Sequence, residues 1–319
     1  MPKCKESLCI YGPSGIGKTT QGLELAVHIH KTTGKKLRLA SWSGGGWTSI
    51  EPGVRAGIIE PCYMADRSGH PFETAHKVSL GGWPQDPTDP ASPLLHRSQQ
   101  VGWKDVGGLM IDSGTELAQW LMDGALMLEA RGETKITGDT PVVFQDGRSW
   151  DLNDAGETKA LAFANPAQGH YGSIQARMRQ IVSNSKTLDG LYVYWTFLET
   201  KKFKETTGHG KNAVTRPMKQ PFYGPDLIGD ALTGDVPAWF DNTLHYCFDT
   251  VEGKMRRRLY LAAHFDEDGV PYRVKNRSPA LSPIRKAYLE GDELSLEVFL
   301  RLLEESHKGS QEVLERRLR

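Results

Sequence analysis

Gly12-Pro13-Ser14-Gly15-Ile16-Gly17-Lys18-Thr19 is the stretch that decides how this chain is read. It matches G-x-x-x-x-G-K-[ST], a phosphate-binding loop. The glycines let backbone N–H groups close around phosphate oxygens. A helix opening at the end of the loop offers its unpaired N–H groups and positive dipole end to an anion. Lys18 is placed to reach β- and γ-phosphates, and Thr19 to set a hydroxyl on Mg²⁺. Thr20 continues the same turn and completes the set of nucleotide-binding candidates.

The flanking residues suit that reading. Ser7-Leu8-Cys9-Ile10-Tyr11 predicts a short buried strand before the loop. Leu23, Ala26, Val27 and His30 fall on one helical face after it. Gly34, followed by Lys35-Lys36, is a suitable C-terminal cap.

Composition narrows the class of molecule. The 319 residues accommodate one large domain or two small ones. Lys+Arg and Asp+Glu are both 39, so any nucleic-acid surface must be local rather than a property of a global positive field. No run of 18 apolar residues exists, mean hydropathy is −0.47, and the first residues lack a signal peptide's apolar stretch. A cytoplasmic protein without a membrane partner is expected. Cys4, Cys9, Cys62 and Cys247 are scattered and form no C-x-x-C pair. They read as structural thiols in a reducing compartment rather than as a zinc site.

Leu37 to Trp42 predicts a second strand, with Ser43-Gly44-Gly45-Gly46-Trp47 at its carboxyl end. Ligands sit at that end of open α/β sheets, and a solvent turn is the competing reading. Glu51 and Glu60 flank a short strand at Gly57-Ile58-Ile59. Glu60 reads either as a water-activating carboxylate or as a surface acid. Residues 66–105 carry Pro84, Pro87, Pro90 and Pro93 without periodicity and predict an irregular excursion pinned by Trp83 and Trp103.

Val106 to Ile111 is an apolar run that ends in Asp112-Ser113. It predicts a buried parallel strand with a carboxylate at its tip, the Walker B pattern, in which Asp112 holds Mg²⁺ through water. The competing role for Asp112 is a helix N-cap, for which Ser113 is the better candidate. A helix follows through Leu117, Leu121, Gly124 and Leu128. Residues 131–169 are polar and glycine-rich, and helix resumes from Tyr171 to Val182.

Leu191 to Phe197 is rich in β-formers and predicts a strand. Thr196 and Glu199 stand at its carboxyl end, where a polar group can sense a γ-phosphate. Residues 199–222 read as a loop with six Lys/Arg (Lys201, Lys202, Lys204, Lys211, Arg216, Lys219) and two Glu (Glu199, Glu205). Phe203 and Phe222 interleave with the cations, a composition suited to single-stranded nucleic acid. A solvated loop is the alternative. Asn242–Phe248 and Arg256–Ala263 predict a hairpin turning at Val251-Glu252-Gly253-Lys254. A final amphipathic helix carries Leu296, Phe299, Leu300 and Leu303.

The phosphate loop, the Asp112 strand, the Thr196 strand and the hairpin come in an order that resembles the RecA-like ATPase core. More narrowly, the chain resembles phage-encoded AAA-type or RecA-core ATPases associated with single-strand-annealing recombination. Gly12–Thr19, Leu109–Ser113 with Thr115-Glu116-Leu117, Tyr171-Gly172, Phe240-Asp241 and Lys275-Asn276-Arg277-Ser278 carry the resemblance. It implies an α/β fold: a RecA-like P-loop NTPase core over 1–280, a mainly parallel sheet flanked by helices, with a C-terminal β-hairpin. Insertions fall near 66–105 and 131–169, and 281–319 is a helical tail. It implies ATP and Mg²⁺ as cofactors, with Lys18, Asp112, Thr196 and Glu199 in the catalytic set. It further implies a ring or filament in which Lys275 and Arg277 act in trans, single-stranded DNA as substrate, and a single-strand annealing or binding protein as partner. If the chain is phage-encoded, its place is the bacterial host's cytoplasm. The alternative is a nucleotide-gated binding module with little turnover; a small-molecule kinase is disfavoured because no arginine-rich lid is seen.

Overall fold

The computed structural model describes residues 4–42, 47–65, 71–130, 168–207, 214–228, 233–278 and 284–318. The chain begins β1 (Glu6–Gly12), α1 (Lys18–Thr33), β2 (Lys36–Ser41), α2 (Glu51–Arg55), β3 (Ile59–Tyr63) and α3 (Pro71–Ser79). The short strands β4 (Trp83–Pro84) and β5 (Leu94–Leu95) precede β6 (Val106–Asp112) and α4 (Gly114–Ala130). Then come α5 (Gln168–Ser185), β7 (Tyr192–Thr207), β8 (Val214–Pro225) and the one-turn α6 (Val236–Trp239). The order closes with β9 (Asn242–Val251), β10 (Lys254–Tyr260), β11 (Tyr288–Glu290) and α7 (Leu296–Leu318).

One sheet runs β11-β10-β9-β1-β7-β6-β2-β3, with β8 paired to β7. From β9 to β3 the neighbours are parallel. β10 and β11 are antiparallel additions at one edge. Alternation along β1 explains the two-sided core. Leu8 and Ile10 face α1 and α7, joining Leu25, Ile29, Phe299 and Leu303. Cys9 and Tyr11 face the opposite layer, with Leu117, Leu121, Ile174, Met178 and Trp195. The result is a mixed α/β architecture with helices on both faces of a mostly parallel sheet.

The expected hairpin is present as β9–β10, but it does not end the chain. β11 pairs beyond it, and the 23-residue α7 comes last. Leu296, Phe299, Leu300 and Leu303 are buried against α1, so packing of an apolar stripe holds this helix. Glu252 and Gly253 have φ of 52° and 74°, which allows the tight turn. The 66–105 excursion is less irregular than its prolines suggest, since it holds α3 and the β4–β5 pair. Trp83 and Trp103 do pin it: the Arg38 guanidinium lies 5.0 Å from one ring and 5.4 Å from the other. Residues 131–167 lie outside those described. Among the described residues, no helix is long and apolar enough to cross a membrane.

Candidate functional site

The site forms where β1 and β6 end. β7 lies between these two strands, so Gly12 and Asp112 stand at the tips of non-adjacent strands along one sheet edge. The loop after β1 turns sharply. Gly17 has φ 107°, a conformation L side chains rarely adopt, and it caps α1. Gly12 is pressed against β9: a Cβ there would lie 1.9 Å from the Tyr246 carbonyl oxygen.

A cavity of about 510 Å³ opens at this edge. Ser14, Gly15, Gly17, Lys18, Thr19 and Thr20 line one side, and Asp112, Ser113 and Glu116 the other. Lys18 Nζ donates to the Gly12 carbonyl at 2.9 Å and the Pro13 carbonyl at 2.7 Å. Burial pulls its ammonium down to about 8, while Asp112, Glu199 and Glu116 pull the other way. Thr19 Oγ1 donates to Asp112 Oδ2 at 2.8 Å. Thr196 Oγ1 donates to Asp112 Oδ1. Burial raises the Asp112 carboxyl, and the two hydroxyl donors counter it. These are hard oxygen donors beside a cation, a set that suits Mg²⁺ with a phosphate.

Thr196, Glu199, Lys275 and Arg277 stand differently from the phosphate-loop residues. The Thr196 side chain is fully buried and spends its hydroxyl on Asp112, so it does not face the cavity. Glu199 turns away to His245 Nε2, and burial holds that imidazole below its ordinary range despite the carboxylate. Ser113 takes the cap role: its hydroxyl bonds Glu116 at 2.9 Å and accepts from the Glu116 N–H at 3.3 Å. Glu60 is the surface acid of its two readings, paired with Arg38 at 2.7 Å and Lys36 at 3.0 Å.

Lys275 and Arg277 sit at the opposite sheet edge, beside the amino end of β9. Lys275 Nζ bonds the Pro237, Ala238 and Phe240 carbonyls at 3.3, 3.3 and 2.6 Å. Arg277 Nη1 bonds Asp241 at 2.8 Å, with its side chain 53% exposed.

Within 199–222, residues 199–207 and 214–222 are strand rather than loop. β7 and β8 pair antiparallel from Glu199↔Pro225 to Thr207↔Val214, with a register shift near Phe203. β7 leaves β1 at Leu198, so its last nine residues run roughly 30 Å past the cavity edge. Phe203 is 54% exposed, and Lys204, Arg216 and Lys219 are exposed with it. Phe222 is only 6% exposed, under the Arg273 guanidinium, and is closed to base stacking. Lys201 lies 3.5 Å from Asp266 and against the Tyr223 ring. Lys202 is half-buried. Lys211 lies outside the described residues.

Sequence reading missed Thr48 and Ser49, which line the cavity from the short turn Trp47–Ile50. The glycine-rich run before them was the available signal, though residues 43–46 lie outside those described. Leu198, next but one after Thr196 at the tip of the strand, is the apolar wall at the cavity's β7 side. No protein-family model matches the chain, and no curated protein matches it significantly.

Proposed function

We propose that the chain is a Mg²⁺-dependent P-loop ATPase with a RecA-like core that acts on single-stranded DNA as an oligomer. The observation that carries this is the convergence of Lys18, Thr19 and Asp112 on one cavity from two non-adjacent strands. The RecA-like resemblance implies Asp112 on a later strand not adjacent to that of the phosphate loop, and here β7, which carries Thr196, lies between.

In this reading Lys18 exchanges its Gly12 and Pro13 carbonyls for phosphate oxygens. The loop N–H groups and the α1 terminus hold the remaining phosphate charge. Thr19 and Asp112 would hold Mg²⁺, which when bound would supply charge neutralisation at a transferring phosphoryl group. Thr196 keeps the Asp112 carboxylate oriented from below. The β7–β8 hairpin, with Phe203, Lys204, Arg216 and Lys219 exposed, supports a single-strand surface built from cations and a stacking ring. Leu198 joins that hairpin to the cavity wall. Arg277, half-exposed at the far edge, is the better candidate for a neighbour's nucleotide, since the Lys275 donors are spent on its own backbone.

A second reading has its own support. Besides Asp112, the two acids that act on the Lys18 ammonium are both engaged, Glu199 with His245 and Glu116 with Ser113. That favours a nucleotide-gated binding module with little turnover. Measuring ATP turnover with and without single-stranded DNA, beside Lys18→Ala, decides the matter. DNA-stimulated turnover that the variant abolishes supports the ATPase. Tight binding without turnover supports the gated module, and turnover that survives Lys18→Ala refutes both.

A further inference from the structure

We propose a second metal site, for a single zinc-like divalent cation, held by His245, Cys247 and His264. It goes beyond the nucleotide site and does not depend on it. His245 and Cys247 are two residues apart on β9 and therefore share a face. His264 comes from the chain just past β10. The imidazole nitrogens and the thiol sulfur lie within 4.8 Å of one another. In a tetrahedral zinc site the ligand atoms stand roughly 3.3–3.6 Å apart, given Zn–N near 2.0–2.1 Å and Zn–S near 2.3 Å. Small side-chain rotations close the difference.

The hydrogen bonds around the pair point the same way. Glu199 Oε2 faces His245 Nε2 and takes its N–H, which leaves a lone pair on His245 Nδ1. That nitrogen meets His264 Nε2 at 3.0 Å. His264 Nδ1 is buried and makes no hydrogen bond. The contact is a hydrogen bond between the two rings, and a cation placed between these nitrogens would take its place. A carboxylate on the far nitrogen of a ligating histidine is also the usual second support of a metal-bound imidazole. Nitrogen and sulfur donors select zinc over Mg²⁺.

Aromatic rings flank the cluster. Tyr260 stacks on His264 at 3.5 Å, and Tyr272 stacks on His245 at 4.2 Å and on His264 at 4.4 Å. On binding, the Cys247 thiol gives its proton to solvent and its sulfur to the metal, and water fills the fourth position. The ion then fastens β9 to the segment after β10 and, through Glu199, to the base of the β7–β8 hairpin.

The test is a Co²⁺ titration of the chelator-treated full chain, followed by X-ray absorption on the Zn²⁺ form. We expect one Co²⁺ per chain with a thiolate-to-cobalt charge-transfer band, displaced by Zn²⁺. The zinc first shell should hold two imidazole nitrogens and one sulfur. Cys247→Ser should abolish the band, and Glu199→Gln should weaken binding by about 10–100-fold. Absence of the band in the native chain overturns the proposal, and so does a first shell without sulfur. So does a band that survives Cys247→Ser, since another thiol then holds the metal. The first two readouts need no variant and stand even where a substitution prevents folding.

Discussion

Replacing Lys18 by Met separates a ligand-binding lysine from a structural one, because the two roles predict opposite signs. Met keeps most of the aliphatic stem and removes the ammonium. Burial holds that ammonium near 8 rather than its ordinary 10.5, so keeping it charged at pH 7 costs the fold about 3 kcal/mol. Against this, the Gly12 and Pro13 carbonyls each lose a donor, at about 0.5–1.5 kcal/mol apiece. The nucleotide-free protein should therefore be unchanged or more stable by about 1 kcal/mol, raising its Tm by a few degrees at most. Triphosphate affinity should fall by about 1.5–3 kcal/mol, roughly 10- to 150-fold. Calorimetric melting and a nucleotide titration on the same samples read both quantities. Native affinity in the variant refutes the phosphate role. A stability loss of several kcal/mol shows that the lysine serves the fold.

The same group sets a pH dependence. Between about 8 and 10.5 the unfolded chain binds a proton at Lys18 that the folded chain has shed, so stability should rise with pH across that window. Nucleotide affinity should fall over the same range as the charged form is lost; melts of the native chain and Lys18→Met that show the same slope would contradict this. Changing Lys201, Lys202 and Lys204 together to Ala should weaken single-strand binding and flatten its salt dependence by roughly 0.7 per lost phosphate contact. Unaltered binding at every salt concentration would leave the hairpin a mere surface feature. Mixing Arg277→Ala with Lys18→Ala chains should restore part of the ATPase activity if Arg277 serves a neighbour; no recovery at any ratio, with assembly intact, counts against it.

What was legible in the sequence was local. The phosphate loop announces itself because glycines, lysine and a hydroxyl must follow one another along the chain. The helix after it was legible but its buried face was not: Leu25, Ala26 and Ile29 are buried, whereas of the expected face Leu23 and Val27 are half-buried and His30 is exposed. Asp112 was readable because a fully buried strand leaves its polarity at the tip. The β7–β8 hairpin was not, since Lys201 to Glu205 lack apolar alternation; pairing with β8 alone makes them a strand. Phe222 is covered in part by Arg273, fifty-one positions away, and no short-range pattern carries that contact. The Glu199–His245–His264 network likewise joins three separate segments. Scattered histidines and cysteines in the sequence read as isolated until the sheet order brings them together.

The central claim is a Mg²⁺–triphosphate site shared by Lys18, Thr19 and Asp112. It is tested most directly by titrating the native chain and Asp112→Asn with a non-hydrolysable ATP analogue, each with and without Mg²⁺. Asparagine keeps the shape that meets Thr19 and Thr196 but removes the charge that holds the metal. The native chain should show one saturable site, tightened about tenfold or more by Mg²⁺, which is at least about 1.4 kcal/mol. Asp112→Asn should keep the Mg²⁺-free affinity and lose most of the enhancement. Absence of saturable binding in the native chain, or a Mg²⁺ enhancement unchanged in Asp112→Asn, would contradict the claim.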